Sequence, residues 1–245
     1  MTNKTPYSAH NHMPVLYLIL LFLTLAVPVN AEDWTMTNGM TYNDVTIKSV
    51  DGDTVTISDQ NGTDLVSMKD LPPKLQKKVG FFAAKANGTD IPAYFHIEQA
   101  DQAEALARQL HVPVAWMCSF YSYLDPDCST ADGGAELTRM ALATLQGRAI
   151  VIFSESTPPM PANVHHDGFS PLDDGPLPDG ANFLTPKIVF SSPDTKQLWG
   201  RVSHTQMKAT GKDAIISALD AIDNDPAAQA ILSDQASSAA TGSKP

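Results

Sequence analysis

Cysteine is scarce in this chain, with two residues in 245. That excludes a disulfide-dense scaffold and any four-cysteine zinc site. Basic residues are few as well: 16 Lys and Arg stand against 27 Asp and Glu, for a net charge of −11. With no cation surplus to displace counterions and no basic run, nucleic-acid binding is not expected. No apolar run approaches the roughly 20 residues that cross a bilayer as a helix. A Gly-x-Gly-x-x-Gly fingerprint, a phosphate loop and a Gly-x-Ser-x-Gly elbow are all missing, so no cofactor is expected. Ser154, Ser191 and Ser192 therefore stand near strand ends without the turn that would make a nucleophile of one of them. What is present suits a globular protein: 43% of residues are apolar and 18% charged. That is too apolar for wholesale disorder, and the length allows one large core or two small ones.

Residues 1–31 read as a secretory signal peptide. Lys4 precedes an apolar run from Val15 to Val27, and Pro28 and Val29-Asn30-Ala31 follow it. The run is 13 residues long, short for a membrane span and suited to a leader cleaved after Ala31. An uncleaved N-terminal anchor is the alternative. Cleavage removes one Lys and no acid, leaving a net charge of −12 and no transmembrane segment. The expected location is the periplasm or the extracellular space, where a disulfide can persist.

Residues 32–82 carry hairpin signals at Asn38-Gly39, Asp51-Gly52-Asp53 and Asn61-Gly62, dipeptides that supply the positive φ of tight turns. Val45 with Ile47, and Val55 with Ile57, alternate as a half-buried sheet requires. The expectation is a small all-β barrel ending at Leu71-Pro72-Pro73, with one helical turn over residues 74–78. The phrase from Asp33-Trp34-Thr35 through Asp51-Gly52-Asp53-Thr54-Val55 to Leu71 resembles the Src-homology-type small barrels of bacterial envelope proteins. That resemblance implies peptide binding in an aromatic groove, for which Trp34 and Tyr42 are the candidates, unless both belong to the core.

Residues 83–93 read as a linker, and Asn61-Gly62-Thr63 and Asn87-Gly88-Thr89 match glycosylation sequons. Beyond them the period changes, and the expected unit is an α/β domain over 94–224 with its own core. Ala103, Leu106, Ala107 and Leu110 mark one amphipathic helix; Leu137, Met140, Ala141 and Leu145 mark another; Ile215, Ala218, Leu219 and Ile222 mark a third. Apolar runs over 112–118 and 149–153 read as strands buried on both faces. A long loop rich in Pro and Gly covers 154–185, two strands follow around Pro193-Asp194, and a disordered tail is expected over 225–245.

This order resembles the thioredoxin fold, most closely at Thr185-Pro186-Lys187-Ile188-Val189-Phe190 and Trp199-Gly200-Arg201-Val202. The resemblance implies a βαβ unit, an antiparallel hairpin, a closing helix and a cis bond at Thr185–Pro186. It does not carry the redox role across, because no Cys-x-x-Cys lies between the first buried strand and its helix. Nine residues separate Cys118 from Cys128, Asp125 and Asp127 among them. A structural disulfide joining Cys118 and Cys128 is the expectation, with two free thiols and a switchable redox pair as alternatives. Phe120, Tyr121 and Tyr123 are the candidate contacts for an unidentified protein or peptide partner. His165-His166-Asp167 is the one dense group of possible metal ligands. Neighbouring histidines point apart in an extended chain, so a solvated loop and no metal site are expected. His96, His111 and His204 read as surface or packing residues. Two functions follow: an exported, non-catalytic binding or scaffolding protein, or an extracytoplasmic thiol–disulfide oxidoreductase using Cys118 and Cys128.

Overall fold

The computed structural model describes residues 32–155, 160–170, 172 and 184–241, with side chains described through residue 234. The expected leader over residues 1–31 therefore lies outside the described residues, as does much of the long loop.

The first unit is an antiparallel meander: β1 (Glu32–Thr35), β2 (Thr41–Asp51), β3 (Thr54–Asp59) and β4 (Gly62–Ser67), paired in that order. The hairpin glycines sit where sequence placed them, Gly39 at φ 84° and Gly52 at φ 55°. Val45, Ile47, Val55 and Ile57 face one side and are buried with Trp34 and Leu71. Bulges in β1 and β2 bend the meander around this core. Trp34 is 1% exposed, so it is a core residue and not a groove aromatic. Tyr42 packs at the rim and donates its hydroxyl to Asp64.

The short turn foreseen at 74–78 is a full helix, α1 (Pro73–Ala86). Pro73 starts it without losing a hydrogen bond, since that N–H has no intrahelical partner. The helix persists because it has two apolar faces. Leu75 and Val79 close the small core, whereas Phe81 and Ala84 enter the core of the second unit. Residues 83–86 of the expected linker are thus its last turn.

The second unit is a mixed sheet in the order β5-β7-β6-β8-β9. Its strands are β5 (Phe95–His96), β6 (Val114–Cys118), β7 (Ile150–Ser154), β8 (Lys187–Ser191) and β9 (Leu198–Val202). β5, β7 and β6 run parallel; β8 is antiparallel to β6, and β9 to β8. β6, β7 and β8 are buried at every position, as strands covered on both faces must be. One face carries Trp116, Ile152 and Val189 against α2 (Ala100–Leu110), whose Ala103, Leu106, Ala107 and Leu110 are all buried. The other carries Met117, Phe153 and Phe190 against α3 (Gly134–Leu145) and α5 (Asp213–Asn224). A short α4 (His204–Thr210) opens with a Ser203–Gln206 capping box.

Two further expectations are corrected. The tail is helical: α6 (Pro226–Thr241) lays Ala228 and Leu232, both about 1% exposed, back onto the domain. A composition rich in Ala, Ser and Gln hid two well-spaced apolar anchors. Within the long loop, Asn163–Phe169 forms a π-helical turn that buries Val164 and brings Gly168 against Val189.

Candidate functional site

β6 is the central strand, and it delivers the chain to one end of the sheet at Cys118. There Ser119 is tied down twice: its N–H donates to the Ser154 carbonyl at 3.0 Å, and its hydroxyl lies 2.7 Å from that of Thr138 on α3. The connection to α3 passes through a 3-10 turn (Tyr121–Leu124) and Asp125-Pro126-Asp127. It then caps the helix with local polar contacts. Gly133 takes the left-handed conformation at φ 82°. The Gly134 N–H donates to Asp132 Oδ1 at 3.1 Å, and the Ala135 N–H to Thr130 Oγ1 at 3.2 Å.

Opposite this helix start stands the Thr185–Pro186 bond, which is cis. The approach is close: a Cβ placed on Gly134 would lie 2.8 Å from the Thr185 carbonyl oxygen and 2.8 Å from the Tyr123 ring. Only glycine permits it. The same carbonyl accepts from His204 Nδ1 at 2.7 Å. His204 is 1% exposed, and its Nε2 has no hydrogen-bond partner among the described residues. Burial alone would raise the Asp132 carboxyl, but Thr130, the Gly134 N–H and the nearby His204 together hold it below the usual carboxylate range.

The two cysteines flank this region: Cys118 pairs across the sheet with Lys187, next to Pro186, and the Cys128 carbonyl accepts from Arg139 of α3. The structure shows Cys118, buried, and Cys128, partly exposed, without the expected bridge between them. Burial pushes the Cys118 thiol up to about 11, and its cross-strand neighbour Lys187 offsets only part of this. Instead of a bridge, the loop is held by Arg139 of α3. Its guanidinium donates to the carbonyls of Tyr123 at 3.0 Å, Asp125 at 2.6 Å and Cys128 at 3.1 Å.

The three candidate contact aromatics separate. Phe120, 36% exposed, meets Tyr123 edge-on at 5.1 Å beside the helix start. Tyr121 turns the other way. It stacks on Phe153 at 4.9 Å and its hydroxyl bonds His96 Nδ1 at 2.9 Å, with Tyr94 alongside. Its backbone N–H donates to Glu155 at 2.7 Å. His165 and His166 sit in the π-helical turn with rings crossed at 4.6 Å, and the Asp167 carbonyl accepts from Arg201. No group of three potential metal ligands occurs among the described residues. Ser191 and Ser192 are structural: Trp116 donates to Ser191, and Ser192 bonds Asp194.

Arg139, Gly134 and His204 were not visible as site residues in sequence. Gly133-Gly134 ahead of an apolar period was the one local sign. The chain matches no family model, no curated protein and no solved structure.

Proposed function

We propose that this is an exported two-module envelope protein whose α/β unit is a thioredoxin-like domain used for binding or scaffolding, not for thiol chemistry. The parts that the resemblance implies have counterparts here: β6–α3–β7 as a parallel βαβ unit, β8–β9 as an antiparallel hairpin and α5 as the closing helix. The bent four-stranded meander supports the reading of the first unit as a small Src-homology-type barrel.

One observation carries the non-catalytic reading. The α3 start that faces Thr185–Pro186 is Ala131-Asp132-Gly133-Gly134, which offers no thiol. A reactive cysteine needs a lowered pKa, which a helix N-terminus or nearby cation can provide. Cys118 is shifted the opposite way, and Asp132 places negative charge where a thiolate would need positive surroundings. The exposed Phe120 and the fixed loop around it then serve as a shaped contact surface for a protein or peptide.

The test is insulin reduction by dithiothreitol with and without the protein, alongside fractionation and N-terminal sequencing. The expected results are no acceleration, an unchanged rate for Cys128→Ser, and a mature chain beginning at Glu32 outside the cytosol. Acceleration that disappears in Cys128→Ser would establish the oxidoreductase instead.

A further inference from the structure

Cations are the minority charge on this chain, 16 against 27 acids, yet three of them surround one cleft. Lys74 stands in the first turn of α1, Arg148 in the turn between α3 and β7, and Lys212 at the N-cap of α5. The cleft has a volume of about 440 Å³. Its remaining lining is Met140, Ala143 and Thr144 along one stripe of α3, with Ile216 one turn beyond Lys212 on α5. Positions three and four apart share a helix face, so these side chains form two facing walls.

The positive charge is only partly neutralised. Lys74 and Lys212 form no ion pair among the described residues. Arg148 gives Nη2 to Asp220 at 2.7 Å and Asp223 at 2.5 Å. Its Nε is buried without a partner among the described residues, and a buried donor left unpaired is costly. α5 also begins here, and its N-terminal dipole adds a favourable field for negative charge.

From this convergence we infer a binding site for an anionic single-chain amphiphile: a carboxylate or phosphate head held by Lys74, Lys212 and Arg148, and an aliphatic chain along Met140, Ala143 and Ile216. Cations alone would suit any small anion. The apolar walls select an anion that carries a hydrocarbon body, because each methylene removed from water strengthens binding about fourfold. The site spans both units, since Lys74 belongs to the helix that joins them.

The probe is a saturated carboxylate series from hexanoate to decanoate, kept below the micelle concentration and titrated into the intact protein by calorimetry. Methyl NMR of Ile216 and Met140 locates the ligand. Affinity should rise about fourfold per methylene until the cleft fills, with shifts centred on Ile216. Lys74→Glu/Lys212→Glu should weaken decanoate binding at least tenfold. Both residues are exposed, and an unchanged melting temperature would show that the fold survives. Decanol binding as tightly as decanoate, inorganic phosphate matching decyl phosphate, an affinity independent of chain length, or an unaffected double variant would each overturn the proposal. So would binding to phosphatidylglycerol vesicles without binding of monomeric decanoate, which would identify a membrane surface as the ligand.

Discussion

Lys77 and Asp223 are 146 positions apart, and both are buried, at 5% and 8% exposure. They join α1 to α5 through an ion pair, and Arg148 completes the cluster by bonding Asp223 and Asp220. Burial, the largest influence, lowers the Lys77 pKa even though Asp223 opposes it, and Arg148 lowers it further. The ammonium is therefore poorly accommodated and depends on its one carboxylate. Removing the acid strands Lys77 and leaves Arg148 with Asp220 alone, whereas removing the lysine leaves Asp223 paired with Arg148. Asp223→Asn should cost about 3–5 kcal/mol, the usual penalty for an uncompensated buried charge. Lys77→Met keeps the aliphatic stem and discards the desolvation, so it should stay within about 1 kcal/mol of the parent. Adding Lys77→Met should also recover part of the loss in Asp223→Asn. Urea denaturation of the four proteins at pH 7 closes the cycle. The pH dependence has a definite sign. A lysine with a lowered folded pKa binds fewer protons folded than unfolded, so stability rises with pH below its ordinary value of 10.5. The deficit of Asp223→Asn should therefore shrink on the alkaline side. Equal costs for Lys77→Met and Asp223→Asn would refute the reasoning.

Cys118 has the opposite sign: its thiol titrates at about 11 folded against 9.0 unfolded, so stability should fall by about 2–3 kcal/mol across that window. Cys118→Ala should flatten this part of the urea-midpoint profile measured from pH 8.5 to 11.5, relative to the parent. Gly134→Ala places a Cβ 2.8 Å from a backbone oxygen and a ring carbon; it should lower stability by about 1–3 kcal/mol and shift the NMR signals of Thr185 and Tyr123. Arg139→Lys cannot reproduce a planar fork to three carbonyls, so amide exchange over residues 123–128 should accelerate while that of β6 is preserved. Leu232→Ala should cost about 2–5 kcal/mol in thermal or urea unfolding, an effect that a disordered tail could not produce.

Periodic burial was legible in sequence, because it repeats within one element. The four positions read for α2 are its four buried residues, and the alternation around Val45 and Val55 is the face of the small core. The limits appear where one element serves two cores. Helix α1 looked like a single turn because its apolar residues point to opposite sides, so they show no single 3.6-residue stripe. The tail looked disordered because Ala228 and Leu232 are sparse among Ala, Ser and Gln, and their burial depends on α2 and α5. The site failed for a related reason. A cysteine pair is conspicuous, but Arg139 anchors its loop through backbone carbonyls, which carry no side-chain signature. His204 and Gly134 meet at Thr185 across 70 residues of chain, and only tertiary contact reveals the meeting.

These two ways of holding a loop have different consequences. A disulfide between residues 118 and 128 would act mainly on the unfolded chain, and its persistence would depend on the compartment. The Arg139 guanidinium acts on the folded state and is charged at any physiological pH. Its three acceptors lie on a segment with exposed side chains: Phe120, Asp125, Pro126 and Asp127 all reach solvent. Backbone anchoring fixes the shape of the segment while leaving its side-chain surface available. That is the arrangement a preorganised contact loop needs, because less ordering entropy remains to be lost on association. At the α3 start the Thr185 carbonyl oxygen and the Tyr123 ring take the space that a side chain on Gly134 would need. Close packing there fixes the helix start against the Thr185–Pro186 segment, and the contact loop is held between that packing and the Arg139 fork.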